Sequence, residues 1–205
     1  MTTPADRAGI RSGTTADLRP LAELLTEAFL HGDFAPWLIA HLDTRHRVYR
    51  PYFAMLTEHA LQHGHVDMTD DGTAAALWYP ITSGPPPEPD DYPHRLAAIT
   101  GPALTRFQAL DHALHTAHPY DQPHSYLALL AVHPDRQRQG HGSRLLDHHH
   151  TRLDHLGTPA YLEATGIANR RLYLRHGYRA RTPVPIGRAG LRLHPMWRSA
   201  QPSAI

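Results

Sequence analysis

The sequence predicts an α/β protein, in which a mixed β-sheet carries helices on both faces. Residues 125–132 form a nearly continuous apolar run, which is typical of a central strand covered on both sides. Stretches with apolar residues at helical spacing alternate with short strand-like stretches along the chain. The length of 205 residues suits one domain with its own core. We therefore predict a single domain over 1–198 and a short tail over 199–205.

In the first half of the chain, residues 10–11 begin a short strand, and a helix N-cap at Thr14 or Thr15 precedes the first helix. After a break at 32–37, a second helix is expected over about 44–63. Strands at 65–69 and 73–79 flank Asp70, Asp71 and Gly72, a sequence typical of a hairpin turn. These elements build the first edge of the predicted sheet.

The proline-rich residues 83–93 are incompatible with a helix or a central strand. They open an inserted segment, about 83–124, with helical pieces at 95–99 and 104–115. Beyond the apolar strand we expect a helix at 142–156, a strand at 161–165 and a short helix at 169–176. A final strand pair is predicted from Tyr178 onward, joined by a turn at 187–190.

Composition excludes several kinds of chemistry. The chain has no cysteine and no lysine, which removes thiolate metal sites, cysteine nucleophiles, phosphate-loop lysines and Schiff bases. Because 20 basic residues balance 19 acidic ones, bulk charge does not indicate a nucleic-acid partner. No apolar run approaches the roughly 20 residues that cross a bilayer, and residues 1–9 lack a secretory leader pattern. A cytoplasmic protein without a membrane partner is expected.

The segment that follows the apolar strand is typical of an anion-binding turn. It carries Gln137, Gly140 and Gly142 in the pattern Gln-x-x-Gly-x-Gly and leads directly into a helix. Glycines allow close approach of the backbone, and successive amides at a helix start point toward one spot, where the helix dipole also favours negative charge. An ordinary glycine-rich turn remains an alternative at this point.

A second segment, 161–178, contains Leu-Glu, then Asn169, then Leu-Tyr-Leu-Arg-His-Gly-Tyr. Together with the Val-His-Pro…Gln-x-x-Gly-x-Gly segment, it resembles the two main motifs of the GNAT superfamily of acyl-CoA N-acyltransferases. The resemblance covers about 125–180. The spacing of Glu163, Asn169 and Tyr173, the Ala-Leu-Trp78 strand and the ending Pro-Met-Trp-Arg198 also resemble the puromycin N-acetyltransferase group.

The resemblance implies a three-layer fold, with a mostly antiparallel sheet of six to seven strands that splays between its fourth and fifth strands. It also implies acetyl-CoA as co-substrate and no metal. The pantetheine arm would pair with main-chain groups of Leu130, Ala131 and Val132, and Asn169 would contact the pantetheine or the sulfur end. The residues whose main chain would hold the pyrophosphate are Arg138, Gln139, Gly140, His141, Gly142 and Ser143.

For catalysis, Tyr173 is the candidate general acid that protonates the departing thiolate, and Glu163 is the candidate base that takes the proton of the amine. Several alternatives stay open. Tyr173 could be a packed core aromatic, Asn169 a plain N-cap, and Glu163 a surface carboxylate paired with an arginine. His133 or water could replace Glu163 as the base.

An acceptor pocket is expected from the first helices and the insertion. Its candidates are the aromatic residues and one carboxylate that would suit a cationic or nucleoside-like amine: Phe29, Asp33, Phe34, Trp37, Trp78, Tyr79 and Tyr120. Histidines at 148–150, His155 and the pair His59 and His63 were weighed as metal ligands, but none is completed by an acidic or cysteine partner, and no metal site is predicted.

The predicted function is transfer of an acetyl group from acetyl-CoA to a primary amine of a small molecule, such as an aminoacyl-nucleoside or another antibiotic. With no cysteine for an acyl-enzyme, the transfer is expected to be direct, in a ternary complex. Acetylation of a protein N-terminus or lysine, or a non-catalytic acyl-CoA-binding module, are the alternatives. A monomer or homodimer is expected.

Overall fold

A computed structural model describes residues 9–187 and 190–201 of the chain. The predicted features at 1–8, within the turn at 188–189 and at 202–205 of the tail lie outside them. The strands are β1 (Ile10–Ser12), β2 (His65–Thr69), β3 (Ala74–Ile81), β4 (His124–Val132), β5 (Ala160–Ala164), β6 (Arg179–Ala180), β7 (Val184–Ile186) and β8 (Leu191–Arg198). The helices are α1 (Leu18–Phe29), α2 (Ala35–Leu38), α3 (Leu42–His63), α4 (Tyr92–Thr100), α5 (Leu104–Ala117), α6 (His141–His155) and α7 (Ile167–Arg175).

The strands form one sheet in the order β1-β2-β3-β4-β5-β8-β6, with β7 beside the first half of β8. All pairs are antiparallel except β4 and β5. β4 pairs with β3 along its whole length, but with β5 only at Ser125 and Tyr126. The predicted splay between the fourth and fifth strands is thus present.

The described part of the chain has eight strands rather than the predicted six to seven. The difference arises after Tyr178, where a strand pair was expected and three strands are found. β8 is long enough to pair with β5 over its second half and to accept both β6 and β7. The mixed α/β class with helices on both faces is confirmed.

Strand β3 separates two apolar cores because its side chains alternate between the faces of the sheet. Ala75, Leu77 and Tyr79 pack against the core under α1, α3 and α5. Ala76 and Trp78 pack in the opposite core, which is covered by α6 and α7. The near-continuous burial of β3 shows that both faces of this strand are covered. β4, for which the sequence predicts a strand covered on both sides, lies next to β3 in the middle of the sheet, but five of its nine residues are only partly buried because the sheet splays along it.

Two local predictions need correction. A short helix, α2, occupies part of the segment predicted as a break, and Pro36 lies in its first turn, where proline is tolerated. α7 begins at Ile167 with Gly166 as its N-cap, so the N-cap interpretation of Asn169 is wrong: this residue lies within the first turn of the helix.

The inserted helices close over the first core. Tyr52 of α3 meets Phe107 of α5 with ring centroids 5.0 Å apart in an edge-on arrangement. Arg106 Nη1 donates to the carbonyl oxygen of Trp37 at 2.9 Å, and Arg95 pairs with Glu58 at 3.0 Å. The insertion is therefore fastened to α2 and α3 and forms one wall of the site described next. Among the described helices, none has the length and apolar character needed to cross a membrane.

Candidate active site

The splay of the sheet opens a cleft of about 640 Å³ between β4 and the segment from β5 to α7. Leu130 and Val132 of β4, Gly142 of α6 and Leu172 of α7 are among its walls. Beyond Tyr126, β4 has no partner strand on the β5 side, so its main-chain groups on that edge are free to pair with an extended ligand. Leu130, Ala131 and Val132 therefore lie where the sequence prediction requires an exposed strand edge.

The mouth of this cleft is the loop before α6. Gly140 has a φ of 90° and Arg138 a φ of 63°, conformations that turn the chain sharply into the helix, which begins at His141. The first amides of a helix have no partner within it, so those of 141–143 are available to an anion. Two side-chain hydrogen bonds stabilise the loop. The Nε2 atom of Gln137 donates to the carbonyl oxygen of Val132 at 3.3 Å, and the Nε2 atom of Gln139 donates to that of Asp135 at 3.0 Å.

Gly142 leaves a hollow at this helix start. A Cβ at Gly142 would meet Leu172, Leu130 and Val132 at 3.6 to 3.7 Å, which is ordinary contact distance, so the protein itself does not demand glycine there. The added carbon would instead occupy the floor of the cleft. The hollow itself is lined by apolar side chains, and it leaves room beside the unpaired amides of the helix start, which are the groups that suit a pyrophosphate.

Two side chains at this helix start have features that the sequence prediction, which concerned only the main chain, did not address. The Ser143 hydroxyl is engaged by His176 Nε2 at 3.0 Å, which leaves only its amide for a ligand. The His141 side chain lines the cleft, is 5% exposed, and neither ring nitrogen has a hydrogen-bond partner in the described chain. Sequence reasoning assigned only the main chain of His141 and had no signal for this buried imidazole.

A second cavity, of about 280 Å³, lies deeper, between α3, the insertion and β4. It joins the cleft where Asp33, Asn169 and Tyr173 line both spaces. The Asp33 carboxylate lies against Gly166 at the start of α7, so closely that a Cβ on that glycine would collide with it. The junction thus brings together a carboxylate, an amide and a phenol from the α1–α2 loop and α7.

Tyr173 lies near the end of α7 and faces the junction. Its ring is buried and packs edge-on against Tyr178, with centroids 5.8 Å apart. Burial raises the pKa of Tyr173 above its usual value, which keeps the phenol protonated at neutral pH. The core-aromatic and general-acid interpretations are therefore compatible, because one side chain both packs in the core and presents a proton donor to the cavity.

Glu163 lies on β5 and lines the deeper cavity. Its side chain is only 2% exposed, so the alternative of a surface carboxylate paired with an arginine is wrong. Oε1 has no hydrogen-bond partner among the described residues. Burial, and then the charge of Glu163, raise the pKa of Tyr126 and of Tyr161 well above the usual range. A buried carboxylate oxygen without a donor is an unsatisfied proton acceptor beside the cavity.

A pair of buried histidines stands behind Glu163. His124 Nδ1 lies 2.6 Å from the carbonyl oxygen of Gln122 and, because a carbonyl only accepts, must carry a proton. Burial lowers the pKa of His124 to about 4, so its Nε2 is an acceptor at neutral pH. His118 Nε2, 3.0 Å away, then donates to it. The other ring nitrogen of His118, Nδ1, lies 3.7 Å from Glu163 Oε1.

Of the predicted acceptor-pocket residues, Phe29, Asp33, Phe34 and Tyr79 line the deeper cavity. The other three lie elsewhere. Trp78 points to the opposite face of β3, where it stacks on His149 at 3.9 Å, and Tyr120 stacks on His118 at 4.4 Å. Trp37 packs at the margin of the first core.

The cavity also has walls that the sequence analysis did not name. The missed residues are Tyr49, Tyr52, Phe53, Tyr92, Asp111 and Tyr126. The aromatic residues of α3 recur at helical spacing, which signals a buried helix face, but not which side of that face stays open. Asp111 lies within the insertion, outside every recognised motif, and no pattern in the sequence signalled it.

His133 lies outside both cavities. Its Nδ1 accepts from the amide of Asp135 at 3.4 Å as the cap of a short turn, and it lines a separate shallow cleft beside α1 and α3. This position disfavours the alternative in which His133 is the base.

Within the described chain, three possible metal ligands come close together: His65, Asp67 and His149. Asp67 accepts from His65 Nε2 and from His149 Nδ1, each at 2.7 Å. Ligand atoms around a tetrahedral zinc ion, at about 2.0 to 2.2 Å from it, are roughly 3.3 Å apart, so these contacts are hydrogen bonds. His149 Nε2 also contacts the Ser125 hydroxyl at 3.2 Å, which completes a buried network between α6 and the sheet.

Comparison with known proteins agrees with this geometry. Residues 108–180 match the sequence model of the acetyltransferase (GNAT) domain. One solved structure from Corynebacterium glutamicum is described as 'histone acetyltransferase HPA2 and related acetyltransferase'. It is 27% identical to this chain and aligns with a TM-score of 0.70 over 95% of this chain and 98% of that one.

Two more distant structures share the fold. Arylalkylamine N-acetyltransferase 2 from Aedes aegypti aligns at 14% identity with a TM-score of 0.56, over 94% of this chain and all (100%) of that one. The paiA N-acetyltransferase from Thermoplasma acidophilum, solved in complex with coenzyme A, aligns at 12% identity with a TM-score of 0.55, over 93% and 98% of the two chains.

The fold and the cleft thus agree with the class that these comparisons indicate: residues 108–180 match the GNAT acetyltransferase domain, and the chain is similar in fold, over 95% of its length, to a solved acetyltransferase. The predicted enzyme class, an N-acetyltransferase, is confirmed. The predicted domain limits and individual site residues stay predictions.

Proposed function

We propose that this protein transfers the acetyl group of acetyl-CoA to a primary amine of a small molecule, by direct attack in a ternary complex. The observation that carries the proposal is the junction of two cavities at Tyr173. One cavity is an open cleft with a strand edge and a helix start, and the other is a smaller aromatic chamber. Such a pair of spaces suits a long co-substrate that meets a small acceptor end to end.

In the cleft, the free edge of β4 at 130–132 would hold the pantetheine arm, and the amides of 138–143 would hold the pyrophosphate. Asn169 lines both spaces and would contact the arm near its sulfur end. Acetyl-CoA supplies an acetyl group activated as a thioester. The open volume and the hollow at Gly142 support this placement.

Two side chains would move protons, Tyr173 at the junction and Glu163 in the deeper cavity. Glu163, whose Oε1 lacks a donor, takes a proton from the ammonium group of the acceptor, which frees the nitrogen lone pair for attack on the acetyl carbon. As the new N–C bond forms and the C–S bond breaks, Tyr173 donates its phenolic proton to the departing sulfur, and the nitrogen gives up its second proton, which restores the phenol. No cysteine is present to carry an acyl group between two half-reactions.

A small acceptor is favoured over a protein. The chamber lies between α3, both inserted helices and the sheet, and its volume of about 280 Å³ suits a small acceptor better than an extended peptide at Glu163. Protein acetylation remains the second candidate. The resemblance to the puromycin N-acetyltransferase group makes aminoacyl-nucleosides and other antibiotic amines part of the proposal. A cytoplasmic location and a monomeric or homodimeric state stay predictions.

The test is a thiol-release assay with acetyl-CoA and a panel of amines, including puromycin, simple alkyl and aryl amines, and lysine peptides. Release of free coenzyme A with one class of small amine is the expected result, and the protein adds no thiol background. Calorimetry with coenzyme A runs in parallel. Failure to bind coenzyme A would refute the proposal, whereas binding without turnover on any amine would favour a non-catalytic acyl-CoA-binding module.

A further inference from the structure

The acceptor chamber carries an unusual feature at the end formed by the insertion. Its walls are mostly apolar and aromatic, and yet Asp111 of α5 is one of its lining residues. Tyr92 of α4 donates its hydroxyl to Asp111 Oδ2 at 2.9 Å. The other carboxylates of the chamber, Asp33 and Glu163, come from the α1–α2 loop and β5 rather than from the insertion.

Asp111 is a poorly compensated charge. Across residues 9–187 and 190–201 no ion pair of Asp111 with an arginine or histidine is found, and the charge of Glu88, which has the same sign, raises the pKa of Asp111 further. Burial raises the pKa of Asp111 to about 6, so at neutral pH the group is mostly ionised in an apolar surrounding. A buried carboxylate with only one neutral donor is stabilised strongly by any cation that reaches it.

The neighbours of Asp111 suit such a cation. Tyr52 and Tyr92 lie beside the carboxylate, and Tyr52 extends the aromatic wall toward Phe53, with ring centroids 5.3 Å apart. Aromatic faces attract ammonium groups, and their apolar surface accommodates a hydrocarbon or aryl spacer. A volume of about 280 Å³ is at the lower limit for ligand pockets, which favours a compact molecule over an intact nucleoside conjugate.

We propose that Asp111 is an acceptor-binding residue, and that the preferred acceptor is a compact amine with a second cationic group, separated from the reacting nitrogen by an apolar spacer. The inference rests on the proposed acetyl transfer, since it places the reacting nitrogen at Glu163 and Tyr173 and the second cation at Asp111. It assigns a specificity role to the insertion, which otherwise only walls the chamber.

The experiment compares matched pairs of acceptors. Diaminopentane is measured against pentylamine, and para-xylylenediamine against benzylamine, by thiol release with acetyl-CoA. Diaminobutane and diaminooctane extend the length series. We expect the wild type to prefer each diamine by at least about tenfold in kcat/KM, with an optimum length in the series. Equal kcat/KM values for diamine and monoamine would overturn the inference.

Two variants separate charge from shape. In Asp111→Asn, which keeps the size of the side chain, the preference for the diamine should fall to about one. In Tyr92→Phe, which removes the hydroxyl that lowers the pKa of Asp111, the preference should decrease at neutral pH and return toward the wild-type value at higher pH. If Asp111→Asn keeps the preference, or if Tyr92→Phe does not regain it at higher pH, the charge of Asp111 is not what selects the acceptor and the inference is wrong.

Direct binding distinguishes this inference from the proposed function. The diamine is titrated by calorimetry into the wild type and into Asp111→Asn, each saturated with coenzyme A. Diamine binding that Asp111→Asn weakens by about tenfold or more supports the subsite even if no acetyl transfer is observed. Coenzyme A binding and turnover of monoamines without any diamine preference or tighter diamine binding would refute the subsite and leave the acetyltransferase proposal standing.

Discussion

Tyr173 and Tyr178 show how two phenols a short distance apart in the chain come to do different things. Both are buried, and their rings touch. The Tyr178 hydroxyl is bonded to His150 Nε2 at 3.0 Å, deep beneath α6. Tyr173 instead lines the junction of the two cavities. The two phenols therefore differ in their surroundings: Tyr178 is tied to a core histidine, whereas Tyr173 borders the cavities and is the candidate proton donor.

Tyr173→Phe should lower kcat by about a hundredfold or more while leaving the melting temperature nearly unchanged. The variant removes a proton donor, an effect of roughly 10² to 10⁴ in rate, but keeps the packed ring. Steady-state thiol release and thermal unfolding measure the two effects. The matched control, Tyr178→Phe, should show the reverse: lower stability from the lost His150 contact and near-normal kcat. An unchanged rate in Tyr173→Phe would remove its assignment as the acid.

Glu163 and His118 are expected to act as a coupled pair. Because His118 Nδ1 lies 3.7 Å from Glu163 Oε1, which accepts no hydrogen bond from the described residues, a proton taken up at Oε1 can be shared with the imidazole. Glu163→Gln should reduce kcat by about a hundredfold, and His118→Asn by about tenfold.

The coupling is measured by a double-mutant cycle. The loss in Glu163→Gln/His118→Asn should be close to that of Glu163→Gln alone, because the second group acts only through the first. Circular dichroism and coenzyme A affinity check that the buried substitution at His118 leaves the fold intact. Additive losses with normal coenzyme A binding would show that the two residues act independently.

At the scale of elements, the start of α6 and the free edge of β4 form one binding surface. The strand delivers an unpaired edge, and the turn before the helix points free amides at its end. α6 is itself held to the sheet by the network of Asp67, His149 and Ser125, which fixes the helix start relative to the strand. The position of the helix start therefore depends on hydrogen bonds between α6 and strands β2 and β4.

Gly142→Ala should weaken coenzyme A binding by about tenfold or more without destabilising the protein. The new Cβ meets its neighbours at ordinary distances, yet it fills the hollow where the pyrophosphate is expected. Calorimetry and thermal unfolding give both quantities. Gly140→Ala is the contrasting change: its φ of 90° strains any L side chain, so stability should fall by about 1 kcal/mol. Normal affinity in Gly142→Ala would contradict the placement of the pyrophosphate.

At the scale of the whole molecule, a histidine-rich interior makes stability depend on pH. His124 and His150 are buried, and burial lowers their pKa values from 6.5 to about 4 and about 3. Their folded-state pKa values lie below the unfolded value, so the unfolded chain binds more protons as the pH falls below about 6.5. The stability of the fold should therefore be highest above pH 6.5 and decrease toward about pH 4.

The size of this effect can be tested on His150. Because the folded protein keeps His150 neutral while the unfolded chain protonates it, lowering the pH to about 4 should reduce the free energy of unfolding by on the order of 3 kcal/mol. Urea unfolding of the wild type and of His150→Gln, at several pH values between 7 and about 4, should show a shallower pH dependence in the variant. His148→Gln, a half-exposed neighbour on the same helix, is the control and should retain the wild-type slope. Parallel curves for the wild type and His150→Gln would contradict the assignment.

Much of the fold was predictable because it is written in local patterns. The apolar run of β4, the glycine turn into α6 and the Leu-Glu to Gly-Tyr segment each place their residues within a residue or two of the observed elements. The limits of α7 were less accurate, since Gly166 rather than Asn169 caps it. The number of strands after Tyr178 was not predictable, because it depends on which edges of β8 stay available once β8 has paired with β5.

The sequence by itself determined the class of protein and the location of the cleft, because strand edge, turn and helix start are adjacent in the chain and their chemistry is local. Only the tertiary structure decided the acceptor chamber. Asp111, Tyr92 and the His118–Glu163 contact join segments that are far apart in sequence, and β3 alternation sent Tyr79 into the chamber and Trp78 away from it. Burial, which depends on how all the elements pack, then decided which groups are charged.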